Sequence, residues 1–220
     1  MSNLENTPLA VQASPQEAEW WLPRHQQKLL EKSAMESVNL VFLGDSITHA
    51  WEDKGLPVWQ ELYQPRGGLN LGFSGDRTEH VLWRIANGEL DGIAPKVLVL
   101  LVGTNNTGHR QDPAEETAPG VECILAQLKE KLPTTKILLL AVFPRSAKPT
   151  QQLRCLNDEV NVLVEKFADE ETIFYRDLSA LFLDNDGYLS SEVMEDYLHP
   201  NASQYPVWAN AIEDFLRQYL

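Results

Sequence analysis

Four short blocks, far apart in the chain, hold residue types that could perform acyl transfer. They are Gly44-Asp45-Ser46, Gly72-Phe73-Ser74-Gly75-Asp76, Gly103-Thr104-Asn105-Asn106 and Asp196-Tyr197-Leu198-His199. Alone, each has an ordinary explanation. Gly, Asp and Ser are the usual residues of turns and helix caps, glycine often follows a strand, and asparagine commonly caps loops. A lone histidine before a proline is more often a surface or cap residue than a catalyst. Together the blocks offer a nucleophile in Ser46, a base in His199 and a carboxylate to orient it in Asp196. They also offer two kinds of oxyanion donor besides the Ser46 N–H: the main chain of Gly75 and the side-chain amide of Asn105.

The spacing of the last block raises its weight. Asp196 stands three residues before His199, so one tight turn can hold the carboxylate against the imidazole. His199 Nε2 is then expected to take the Ser46 proton, with Asp196 fixing the tautomer. Ser46 is expected at a helix N-terminus, where the local field favours a developing alkoxide. The block is not a Gly-x-Ser-x-Gly elbow, because position 48 is Thr. His25, His49, His80 and His109 lack a comparable carboxylate, and His49 is expected to point away from Ser46.

These residues need a scaffold that delivers distant loops to one place. Short apolar runs at 38–43, 69–73, 97–102 and 137–142, with a weaker one at 172–176, read as strands. Between them lie helical patterns at 15–32, 152–167 and 206–220. Another follows Asp112-Pro113, where Asp112 is expected to cap and Pro113 to open the helix. Strands apolar along their length and alternating with helices predict a parallel sheet covered on both faces. Ligands of such sheets collect at the carboxyl ends of the strands, and Ser46, Gly75 and Asn105 each follow a strand.

Composition narrows the field of partners. The chain has 220 residues, of which 43% are hydrophobic and 23% charged, and its net charge is −14. That suits one domain over 15–220 preceded by a loose, disordered tail at 1–14. An acidic chain without a basic stripe is a poor partner for nucleic acid, and no stable membrane association is expected. No metal-ligand spacing accompanies Cys123 and Cys155, and two separated thiols fit a reducing compartment. The polar first residues lack the pattern of a signal peptide and no apolar run reaches about 20 residues. A cytoplasmic location follows as the expectation.

In order and content the four blocks resemble the SGNH, or GDSL-type, hydrolase superfamily, whose name lists Ser, Gly, Asn and His. The stretch Asn70 to Asn106 is similar to the catalytic subunits of the intracellular platelet-activating-factor acetylhydrolases. It includes Asp76-Arg77-Thr78-Glu79-His80-Val81-Leu82-Trp83-Arg84 and Asn87-Gly88-Glu89-Leu90. Trp20-Trp21 and Pro144-Arg145 extend the likeness, so that it covers the chain from about Pro15. Two departures stand in the last block: Gln204 precedes Tyr205 where relatives carry Gly, and His199-Pro200 resembles bacterial members.

The resemblance implies a three-layer α/β/α fold with a five-stranded parallel sheet, flavodoxin-like in plan. It implies Ser46, His199 and Asp196 as the triad, and Ser46, Gly75 and Asn105 as oxyanion donors. The residues beside the nucleophile and base, Ile47 and Leu198, would wall a small acyl pocket, with Thr104 also at the substrate. The expected activity is hydrolysis of short-chain, above all acetyl, esters of a carbohydrate or small metabolite, without metal or organic cofactor. A phospholipid acetylhydrolase or lysophospholipase-type esterase is the alternative, and a non-catalytic interaction subunit is a second. A homodimer is compatible with the resemblance.

Overall fold

The computed structural model describes residues 7–220. Strands β1 (Leu40–Gly44), β2 (Gly68–Gly72), β3 (Val97–Leu101), β4 (Lys136–Leu140) and β5 (Ile173–Arg176) form one sheet. All four pairings are parallel, in the order β2-β1-β3-β4-β5. The helices are α1 (Trp21–Ala34), α2 (Ser46–His49), α3 (Leu56–Val58), α4 (Thr78–Ala86), α5 (Ala114–Lys131), α6 (Gln152–Val164) and α7 (Gln204–Tyr219). This is the expected α/β architecture.

The layering follows from the pleat, which sends successive side chains to opposite faces. Leu40, Phe42, Val97, Val99 and Leu101 pack on one face with Trp51, Trp59, Trp208, Ile212 and Leu216. Val41, Leu43, Leu98 and Leu100 pack on the other with Val81, Ile124, Leu128 and Val160. Both faces are therefore apolar, which is why the strands read as unbroken hydrophobic runs. Each fully buried side chain of this kind contributes about 1.5–3 kcal/mol by leaving water. The register pairs Gly44 with Gly72 on one side and with Leu101 on the other. Hence β1, β2 and β3 end level, and the loops after them leave from one edge of the sheet.

Three expectations need correction. Helix α1 begins at Trp21 and not at residue 15. The segment before it is tied to the β2 loop, with Gln16 Nε2 donating to Ser74 O and to Asp76 Oδ1, each at 3.1 Å. Of the two adjacent tryptophans only Trp21 is buried, Trp20 being 41% exposed. Residues 7–14 are not a loose tail either. A short 3-10 turn at Leu9–Val11 buries Ala10, whose carbonyl accepts from Thr78 Oγ1 at 2.9 Å. The remainder of the expected tail, 1–6, lies outside the described residues. Finally, Asp112 does not cap α5. Its carboxylate is drawn off by Arg110, Nη2 to Oδ2 at 2.6 Å, and Pro113 takes the cap position with extended backbone. Cys123 and Cys155 lie on α5 and α6, both as free thiols.

Candidate active site

The loop after β1 places Ser46 as the first residue of α2. Asp45 caps this short helix, its Oδ1 accepting from the Ile47 N–H at 3.0 Å. Ser46 Oγ lies 2.9 Å from His199 Nε2, across 153 positions of sequence. The other ring nitrogen, His199 Nδ1, lies 2.6 Å from Asp196 Oδ2. Asp196 Oδ1 accepts from the main-chain N–H groups of Leu198 and His199 at 3.0 and 2.8 Å. Tyr197, between them, takes a positive φ of 56°, which closes the turn and aims both partners at one carboxylate. Burial opposes ionisation of Asp196, but the bonds from the His199 ring and main chain outweigh it. Its carboxyl is thereby held below the ordinary value. Ser46, His199 and Asp196 thus form one hydrogen-bonded chain.

The loop after β2 makes a tight turn, with the Asp76 N–H donating to Phe73 O at 3.1 Å. Gly75 is its third residue and has φ +77°, a conformation that costs glycine least. Among the described residues, neither the Gly75 nor the Ser46 N–H donates to a protein acceptor. Asn105, buried to 4% exposure in the loop after β3, donates from Nδ2 to the Asp76 carbonyl at 2.9 Å. Its amide has two N–H groups, so this bond leaves one available.

The residues expected to wall the acyl pocket separate. Leu198 is half-buried in the Asp196–His199 turn. Ile47 is 1% exposed and packs in the α7-side core, where its carbonyl accepts from Tyr205 Oη at 3.0 Å. Thr104 is buried, and its hydroxyl accepts from Arg145 Nη1 at 3.3 Å and Asn157 Nδ2 at 3.2 Å. Its polar groups brace the β3 loop.

Two features had not been expected from the sequence. His49 points towards the β2 loop, its Nδ1 lying 2.9 Å from Ser74 Oγ and accepting from the Ser74 N–H at 3.3 Å. This is possible because Gly72 has no side chain where α2 crosses the end of β2. Burial, then the Arg24 charge, pushes the His49 ring down to about 4, so it is neutral near pH 7. The second feature is a buried ionic network behind the turn. Asp76, read as a turn residue, accepts from Trp21 Nε1 at 2.6 Å and from Arg84 Nε at 2.8 Å. Arg84 is wholly buried, pairs also with Glu89, and donates to Gly44 O at 3.3 Å. No periodicity rule singles out a buried arginine, and the nine-residue helix carrying it shows only that one face is apolar.

Asp45 departs from this satisfaction of polar groups, as does Glu89, whose Oε2 is buried without a hydrogen-bond partner. The Asp45 Oδ2 is likewise buried without one. Burial pushes its carboxyl up to about 7, with Asp76 adding to the rise and the Ile47 N–H opposing it. Among the described residues no group of three or more His, Cys, Asp or Glu could hold a metal ion. No helix among them is long and apolar enough to cross a membrane. A cavity lined by Asn39, Arg66, Lys96 and Leu216 lies by the residues preceding β1 and β3, at the opposite edge.

The model of the GDSL-like lipase/acylhydrolase family matches residues 42–206, which span the Ser46, Gly75, Asn105 and His199 blocks. Human platelet-activating factor acetylhydrolase IB subunit alpha2 is 34% identical over 227 residues, covering 100% of this chain and 95% of that protein. The human alpha1 subunit is 34% identical over 224 residues, covering 100% and 94%. Among solved structures, a GDSL-like lipase from Bacteroides thetaiotaomicron superposes with a TM-score of 0.74 at 18% identity, covering 89% and 98%. The acetylxylan esterase Axe2 from Geobacillus stearothermophilus superposes at 0.65 with 19% identity, covering 84% and 96%. The two structures share the fold, and the family match rests on the sequence: this chain belongs to the GDSL-like lipase/acylhydrolase family and is a carboxylic ester hydrolase.

Proposed function

We propose that the chain is a serine esterase that removes short acyl groups, acetyl above all, from a small alcohol. The observation that carries this reading is the chain Ser46 Oγ–His199 Nε2–His199 Nδ1–Asp196 Oδ2, with separations of 2.9 and 2.6 Å. In it Ser46 donates its hydroxyl proton to Nε2, and Nδ1–H donates to Asp196, which stabilises the imidazolium formed on attack. The Ser46 and Gly75 N–H groups and the second Asn105 amide hydrogen receive the charge developing on the ester carbonyl oxygen. His199 then returns the proton to the departing alcohol and later activates water to release the acyl group.

Acetyl is favoured because both human relatives are named for acetyl removal. An acetylated carbohydrate or small metabolite fits a chain of net charge −14, which is repelled by anionic lipid surfaces. The same relatives favour the second reading, a lipid acetylhydrolase. A purely non-catalytic subunit fits poorly with a complete hydrogen-bonded chain.

A fluorophosphonate probe should label the wild-type protein and fail to label Ser46→Ala. The variant should also lose p-nitrophenyl acetate hydrolysis by a factor on the order of 10⁶ in kcat, as in other serine triads. Labelling of Ser46→Ala at the wild-type rate would remove Ser46 from its role.

A further inference from the structure

The N–H groups of the turn after β2 are engaged on either side of Gly75. Phe73 N–H donates to Gly44 O at 3.0 Å, Ser74 N–H to His49 Nδ1 at 3.3 Å and Asp76 N–H to Phe73 O at 3.1 Å. Among the described residues, the Gly75 N–H alone in this turn has no protein acceptor. Ser74 does not take a positive φ, whereas Gly75 stands at +77°. Residues 73–76 therefore make a type II turn.

Such a turn has an alternative form. Types I and II share their closing hydrogen bond and differ by rotation of the central peptide, through ψ of the second residue and φ of the third. Glycine adopts φ of either sign about equally readily, so Gly75 opens both forms. In the type I form the Ser74–Gly75 peptide is turned over, and its N–H faces the opposite side. The bonds made by Phe73 N–H, by Ser74 N–H and Oγ, and by Asp76 N–H and O use atoms outside that peptide. They survive the flip. They fix the ends of the turn and leave its middle free to rotate.

One bond does sense the rotation. Gln16 Nε2 donates to Ser74 O at 3.1 Å and to Asp76 Oδ1 at 3.1 Å. The amide must present nitrogen here, because Ser74 O can only accept. The peptide is trans, so Ser74 O and the Gly75 N–H point opposite ways, and holding the carbonyl aims the N–H. Gln16 is itself held from both sides along the chain. Ser14 N–H donates to Glu79 O at 3.2 Å, and Trp21 Nε1 to Asp76 Oδ1 at 2.6 Å. The segment before α1 is thus a strap whose half-buried glutamine grips the middle of the turn.

We propose that Gln16 is a positioning residue for ester hydrolysis, holding the Ser74–Gly75 peptide so that the Gly75 N–H meets the oxyanion. The proposal rests on the reading of that N–H as an oxyanion donor. Gln16 touches no reacting atom. Without its bond the turn divides between two peptide orientations, of which only one presents the donor. The loss then falls on kcat rather than on KM, because the donor acts on charge that develops in the transition state.

The test uses Gln16→Met, which keeps the bulk and lacks the donor. On p-nitrophenyl acetate it should lose about tenfold in kcat at nearly constant KM, the effect of a single hydrogen bond. A second readout is the Gly75 amide in proton–nitrogen correlation spectra, before and after a fluorophosphonate phosphonylates Ser46. In wild type the Gly75 proton should move downfield as its N–H meets the phosphoryl oxygen. In Gln16→Met that shift should shrink or the signal split in two. Should Gln16→Met not fold, Gln16→Glu carries the same readouts, since it keeps the shape and sets an acceptor against Ser74 O. A kcat within about twofold of wild type together with an equal Gly75 shift would overturn the positioning role. A lowered Tm with unchanged kcat would also overturn it and leave Gln16 as a structural tie. If wild type takes the label but its Gly75 proton does not move, the oxyanion reading itself fails, and the positioning role with it.

Discussion

Asn105 donates its Nδ2 to the main-chain carbonyl of Asp76 across 2.9 Å, tying the loop after β3 to the turn that presents the Gly75 N–H. The two groups proposed as oxyanion donors, on separate loops, are thereby fixed relative to one another before any substrate arrives. Preorganisation of this kind is what makes such donors effective, since nothing must reorient as charge develops.

Asn105→Ala should therefore lower kcat by roughly 10²–10³ with a much smaller change in KM. Steady-state kinetics on p-nitrophenyl acetate decide it. A large rise in KM at constant kcat would show that Asn105 binds the ground state and transition state equally.

Chain-length preference should be steep, with acetyl best and esters beyond butyryl poor. A methylene that fits gains about 0.8 kcal/mol by burial, whereas overpacking costs about 1–3 kcal/mol. Ile47 is locked in the core at 1% exposure, so of the two residues proposed to wall the acyl pocket the half-buried Leu198 is the one a substitution can move. Leu198→Ala should shift the optimum towards longer acyl groups on a p-nitrophenyl ester series. Wild-type preference for octanoyl over acetyl would reject the small pocket.

Asp45 should make stability depend on pH. Its unfolded carboxyl titrates near 3.9, while burial raises the folded group to about 7. Between those values the folded state holds the extra proton. The stabilisation is therefore fully present below about pH 4 and is lost as pH rises through about 7, with a slope of at most about 1.4 kcal/mol per pH unit. Asp45→Asn keeps the acceptor for the Ile47 N–H and cannot ionise. Urea unfolding from pH 5 to 8 should show the variant gaining on wild type as pH rises. A constant or shrinking difference would contradict the shift.

The network behind the site should be sensitive to loss of its cation. Arg84 and Asp76 are both 0% exposed, and Arg84→Met would leave Asp76 and Glu89 as buried carboxylates without their partner. Breaking a buried pair in this way costs about 3–5 kcal/mol. A denaturation midpoint within experimental error of wild type would mean that the carboxylates are protonated or otherwise accommodated.

Much of the site was legible because its parts are local. Ser46, Gly75 and Asn105 each follow an apolar run, and a buried parallel strand is visible in hydrophobic pattern alone. The Asp196–His199 contact spans three residues, so a single turn, closed by the positive φ of Tyr197, makes it. Tertiary structure decided what lies between distant elements. The register that ends β1, β2 and β3 level brings the three loops together, and the docking of the last loop sets Ser46 against His199 across 153 positions. The same holds for His49 against Ser74, Arg84 between Asp76 and Glu89, and Arg145 across two loops. Periodicity tells which face of an element is apolar, and these residues are polar groups inside packed surfaces. Their partners are chosen by how whole helices and strands dock, a choice made by the summed packing of many side chains that no local spacing records.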